Sequence, residues 1–201
     1  MSTVTRVAIW SIAAMVVTTI GPAELPGAGT NAQAKAGIEY RVLATSKTST
    51  MEKELNAAAE AGFHFRSVMG GDTALGGSEV VVVMAGGEKG RYAYRLLATS
   101  KTSTMQRELQ EAGDAGFEYV GQTVFKSAFA GEEVVVILER DKEAARRAYD
   151  YKLLATSKTS TFEKELAGAG AAGYDLLAMT VGKTALGGAE LVAITRRPRD
   201  K

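Results

Sequence analysis

The sequence predicts an α+β protein built of three tandem β-α-β-β repeats of about 45 residues that pack into one body, preceded by a signal peptide. Three observations carry this expectation. The octapeptide LATSKTST occurs three times unchanged, at residues 43–50, 97–104 and 154–161. Around it, segments 40–84, 94–138 and 151–195 align over 45 positions without a gap. Within each segment the apolar spacing changes from a period of two to one of three to four, and then back to two.

The chain opens on a stretch unlike the rest. Arg6 is its only early charge, residues 7–20 form an apolar run, and Gly, Pro and Ala are frequent between that run and Ala34. This is the layout of a secretory signal. The run has 14 residues, short of the roughly 20 that a spanning helix needs. Cleavage after Ala34 leaves a lead of residues 35–39 and no transmembrane segment in the mature chain; an uncleaved anchor or a buried structural helix are the alternatives. The expected location is therefore secreted or periplasmic. The chain has no cysteine, which excludes a lipoprotein anchor, disulfides, thiol nucleophiles and thiolate metal sites.

In the first repeat Tyr40, Val42 and Ala44 alternate with Arg41, Leu43 and Thr45, the pattern of a strand over roughly 39–45. Ser49 followed by Glu52 reads as a capping box, repeated as Ser103 with Gln106 and Ser160 with Glu163. Met51, Leu55, Ala58 and Ala59 then recur at helical spacing, which predicts about three amphipathic turns with Lys53 and Glu60 outward. Gly62, Gly116 and Gly173 stand where a helix ends in a left-handed residue. An aromatic and a short mixed run read as a second strand, parallel to the first. Residues 72–78 read as a glycine-containing turn, and Val80–Val83 as a third strand folded back antiparallel. That Val-rich strand is a hazard if left at an edge, so its burial is expected.

Two linkers join the units. Residues 85–93 are short and glycine-containing, whereas 139–150 are highly charged and suit a brief exposed helix. Residues 196–201 form a basic tail read as a solvated terminus, with tethering to an anionic surface as the sharper alternative. A 45-residue unit has little core of its own, so the repeats are expected to bury surface against one another.

The strand with Tyr40-Arg41-Val42-Leu43, the following Met-Glu-Lys-Glu-Leu-Asn, the Ala-Gly-aromatic helix exit and the closing apolar strand resemble the small bacterial family called domain of unknown function 4177. The resemblance covers each copy and implies single β-α-β-β units. It departs at the exit, where the family's Gly-Trp is Gly62-Phe63, Gly116-Phe117 and Gly173-Tyr174. It implies no activity.

The chemistry narrows by exclusion. Basic and acidic residues number 24 and 23, so no global field favours nucleic acid. His64 is the sole histidine and occurs in one copy, with Glu118 and Asp175 as counterparts. It reads as incidental, and neither a repeated Ser-His-Asp triad nor a transition-metal set is available. LATSKTST lacks the glycines of a phosphate-binding loop. One acid per unit recurs near the loop end (Glu79, Glu133, Glu190), whereas glycoside hydrolysis needs two at one site. Glu54, Glu108 and Glu165 read as helix surface charge. No cofactor is expected.

The loop tip is left unexplained by these readings. Ser46, Lys47 and Thr48, with Ser100, Lys101, Thr102, Ser157, Lys158 and Thr159, precede helices and share an end with the three glutamates. Hydroxyls, a lysine and free helix amides suit an anion or a carboxylate-bearing glycan; capping and solvation, or contact with a neighbouring repeat or partner, are the other readings. The expected function is a non-enzymatic repeat protein that binds an extracytoplasmic ligand or protein partner through three similar loops. The alternative is a structural protein that self-assembles by strand pairing between repeats.

Overall fold

In the computed structural model the described residues are 37–73, 77–127, 131–183 and 188–199. The expected signal peptide lies outside them. Each repeat has the same plan. The first comprises β1 (Tyr40–Thr45), α1 (Thr48–Glu60), β2 (Phe63–Thr73) and β3 (Gly77–Gly86). The second comprises β4 (Tyr92–Thr99), α2 (Thr102–Asp114), β5 (Glu118–Ser127) and β6 (Gly131–Asp141). The third comprises β7 (Tyr149–Thr156), α3 (Thr159–Ala171), β8 (Asp175–Lys183) and β9 (Ala189–Pro198).

The strands form three separate sheets, ordered β1-β3-β2, β4-β6-β5 and β7-β9-β8. The third strand of each repeat lies in the middle and runs antiparallel to both neighbours. The first and second strands are thus parallel to each other but not adjacent. Central placement buries the β-branched run, with Val80, Val82, Val135 and Val136 fully enclosed. The turn is tighter than the expected span of residues 72–78, since Asp72 pairs with Ser78 and Thr73 with Gly77.

Each helix follows its apolar spacing. Met51, Leu55, Ala58 and Ala59 are the buried residues of α1, with Lys53 and Glu60 exposed. Gly62, Gly116 and Gly173 take φ of 96°, 81° and 79° just past the helices, a region that costs a side-chain-bearing residue energy. The helix starts differ from expectation. Lys47, Lys101 and Lys158 occupy the N-cap, and no side chain caps there. Ser49, Ser103 and Ser160 already lie inside the first turn, so no capping box forms.

In the first two repeats the residue expected to close that box, and the one a turn further on, bind the following repeat instead. Glu52 accepts the Leu96 amide at 2.8 Å. Asn56 both donates to the Tyr94 carbonyl and accepts the Tyr94 amide, at 2.9 and 3.0 Å. In the second repeat Gln106 bonds the Tyr151 carbonyl and the Leu153 amide, while Gln110 bonds the Tyr149 carbonyl and the Tyr151 amide. One helix face thereby serves the outer edge of β4 or β7 as another strand would.

A tyrosine completes each junction. Every second strand carries a bulge, between Phe65 and Ser67, Tyr119 and Gly121, and Leu176 and Ala178. The Tyr94 hydroxyl accepts the Phe65 amide at 2.9 Å and donates to Glu139 at 2.7 Å. The Tyr151 hydroxyl accepts the Tyr119 amide and donates to the Phe117 carbonyl. His64 is structural rather than incidental: its ring stacks on Tyr92 with centroids 4.1 Å apart, and it contacts Glu139.

The cores follow the same logic. One cluster joins Met51, Leu55, Phe65 and Val82 to Tyr94 and Ile137 of the second repeat. A second joins Leu109, Phe117 and Leu138 to Tyr149, Tyr151 and Ile194 of the third. The last, with Leu154, Phe162, Ala169 and Ala193, lies within the third repeat alone. From Gly37 onward the chain is one compact unit.

Two further expectations change. Residues 142–148 form bends and irregular backbone between β6 and β7, not a helix. The basic cluster is largely neutralised at the end of β9: Arg196 pairs with Glu118, Arg197 with Asp150, and Arg199 with both Asp150 and Asp114. The Asp114 and Asp150 carboxyls are held below the usual range, with Gln110 the leading influence on Asp114 and Arg199 on Asp150. Cations so matched leave little net charge for an anionic surface.

Candidate binding loops

The three loops share one backbone geometry. Each lysine amide donates to the hydroxyl of the threonine two residues earlier, closing a short turn: Lys47 to Thr45 Oγ1 at 3.1 Å, Lys101 to Thr99 at 3.1 Å and Lys158 to Thr156 at 3.3 Å. The lysines sit in extended backbone with φ between −109° and −125°. Each lysine carbonyl then accepts the first helical bonds, for example from Thr50 and Met51. The octapeptide thus encodes a strand end, a hydroxyl-pinned turn and a helix start.

Ser46, Lys47, Ser100, Lys101, Thr102, Ser157, Lys158 and Thr159 are exposed, and Thr48 is half-buried. Glu79, Glu133 and Glu190 are half-buried. Glu79 is held by the Thr73 hydroxyl at 2.5 Å across the hairpin, so its carboxylate serves β2 and β3.

One cleft, between the second and third repeats, brings several of these residues together. Ser100, Lys101 and Thr102 line it with Glu133 and with Glu190 from the next repeat. Met105, Leu153 and Ile194 contribute apolar surface. The free volume is about 30 Å³, enough for an ordered water or one small polar group inside, with a larger ligand resting on the rim. Ser46, Lys47, Thr48, Glu79, Ser157, Lys158 and Thr159 do not line this cleft. Thr48 instead borders an open groove between α1 and β4, with Glu52, Lys53 and Arg95.

Gln122 adds a residue that sequence reasoning missed. It lines the same cleft, its Nε2 donates to the Met179 carbonyl at 2.9 Å, and its Oε1 is buried with no hydrogen-bond partner. Because Met179 fixes the amide orientation, the unmatched atom is an acceptor. Such an atom calls for a donor, from water or from a ligand hydroxyl. Its counterparts Val68 and Met179 are apolar, so no repeat-wide pattern marked it.

Among the described residues, no group of three His, Asp or Glu side chains is placed to hold a metal ion. No helix there is long and apolar enough to cross a membrane. Comparison with family models, curated proteins and solved structures yields no match.

Proposed function

We propose that this is a secreted or periplasmic, non-enzymatic repeat protein that binds a hydroxyl-rich ligand, of the glycan class, through its Ser-Lys-Thr loops. The observation that carries this reading is the cleft where Lys101 and the Ser100 and Thr102 hydroxyls stand with Glu133, Glu190 and the unmatched Gln122 oxygen. Donors and acceptors of both charge signs meet there. Mixed polarity of this kind suits neutral hydroxyls better than a simple anion, which the lining carboxylates of Glu132, Glu133 and Glu190 would repel. The apolar residues beneath favour a sugar ring over a bare ion. Three loops on one body also gain avidity toward a polymer long enough to span them.

The experiment is a titration of the secreted protein with neutral and carboxylate-bearing oligosaccharides, followed by backbone amide resonances. Expected are shifts at residues 100–102 and smaller ones at 46–48 and 157–159. The Glu133→Gln and Lys101→Ala variants should lose the response at the cleft. Unmoved loop resonances across the series would sink the reading. N-terminal sequencing of the exported protein tests cleavage after Ala34.

The alternative, assembly by strand pairing between repeats, loses its internal precedent. The repeats within the chain keep separate sheets and meet through helix side chains, the bulge-bound tyrosines and side-chain packing between β2 and β5 rather than by strand pairing.

A further inference from the structure

The stack is built from one junction used twice, and its ends carry the unused halves of that junction. Among the described residues, the exposed large hydrophobic side chains are Ile38, Tyr40, Val42, Met69, Leu176, Met179 and Val181. All but Met69 lie on β1 and its lead or on β8. By repeat alignment Ile38, Tyr40 and Val42 correspond to Tyr92, Tyr94 and Leu96, which meet the preceding repeat. Tyr40 is 61% exposed, whereas Tyr94 and Tyr151 are 4% and 3% exposed. Leu176 and Met179 correspond to Phe65 and Val68, which pack into the following repeat. Leu176 is 48% exposed and Phe65 7%.

The polar parts are divided in the same way. The exposed Glu163 of α3 occupies the position at which Glu52 accepts the Leu96 amide. The bulge at Leu176 matches the one at Phe65, whose amide binds Tyr94. Gly170 meets open space, whereas at its counterpart Gly113 a side chain would collide with the Tyr149 carbonyl of the next repeat.

We propose that a second copy of this chain docks head to tail, the β1 edge of one molecule lying along α3 and β8 of another. Tyr40 then inserts toward the Leu176 amide, and Glu163 receives the Val42 amide. A second copy is favoured because the two faces are complementary halves of a junction already formed twice within the chain. Ala167 stands where Asn56 and Gln110 make paired bonds, so the intermolecular contact is weaker than the internal ones. A heterologous contact of this kind propagates into rings or filaments rather than closing as a symmetric dimer. By the same equivalence Thr159 borders the new contact, as Thr48 borders the groove between α1 and β4. The docking rests on β1, α3 and β8, and its test reads association without added ligand, so it stands or falls separately from the binding proposal.

The test is sedimentation velocity on the full chain, expressed with its leader so that any processing takes place, across micromolar to millimolar concentration. Mass should rise with concentration. Tyr40→Glu and Leu176→Glu, each at an exposed position, should each weaken association by at least about tenfold, because every contact needs one face of each kind. Mixing the two variants should restore one contact and yield a heterodimer that grows no further. Circular dichroism checks that both fold, and Tyr40→Ser with Leu176→Ser replace any that does not. A monomer throughout, association indifferent to both substitutions, or a mixture that stays monomeric would each overturn the proposal.

Discussion

Replacing Tyr94 with Phe removes one oxygen from the middle of a junction. That oxygen accepts the amide of Phe65, which is buried, and donates to Glu139, which retains His64 as a partner at 2.9 Å. An orphaned buried amide costs about 1–3 kcal/mol, and a lost bond to a charged group about 1 kcal/mol beyond that. The sum is roughly 2–4 kcal/mol, or a fall in Tm of about 4–16 °C for a body of this size. The same exchange at Tyr40 touches an exposed ring and should stay within about 0.5 kcal/mol. Thermal and urea unfolding at dilute concentration measure both, and hydrogen exchange at Phe65 shows whether its amide is released. If Tyr94→Phe were as mild as Tyr40→Phe, the account of the junction would fail.

Ser49→Ala should change stability by less than about 0.5 kcal/mol, since the side chain caps nothing, whereas Asn56→Ala should cost about 1–3 kcal/mol and speed exchange of the Tyr94 amide. Gly113→Ala should destabilise by about 1–3 kcal/mol, because the new carbon would lie 2.4 Å from the Tyr149 carbonyl oxygen. Gly170→Ala, in open space, should stabilise by up to about 1 kcal/mol, and equal effects at the two sites would contradict the junction geometry. Burial is the leading cause that raises the phenols of Tyr92, Tyr94, Tyr119, Tyr149 and Tyr151, to about 12 for Tyr119 and Tyr149. Their folded values exceed the unfolded value of about 10, so this stability is complete below pH ~10 and is lost as pH rises through the folded values. Phenolate absorbance during alkaline titration should therefore lag that of the urea-unfolded chain, and coincident curves would refute the burial argument.

Much of the fold is legible in the sequence because it is local. Met51, Leu55, Ala58 and Ala59 announce their helix face by spacing alone, and Gly62 announces its end. The sheet order is not legible in that way: parallel first and second strands are compatible with adjacency, and only the pairing of Val80–Val83 with both neighbours settles it. Glu52 shows a related limit. A glutamate three residues after a serine is a local signal for a cap, but its carboxylate finds a strand amide 44 residues away. The recurring Ser-Lys-Thr tips and glutamates are visible as repeats, yet their division between one cleft and isolated positions depends on how two units pack. Gln122 leaves no trace in the pattern because its counterparts are apolar.

The sharing of cores between a unit and its successor has a consequence for growth of the sequence itself. Inserting one more unit would add one complete junction and leave the same two faces at the ends. The identical octapeptides provide matching points at which whole units can be gained or lost in register. Length is then a variable that duplication can adjust in steps of one repeat, each step adding one junction and one Ser-Lys-Thr loop and widening the spacing between the two end faces.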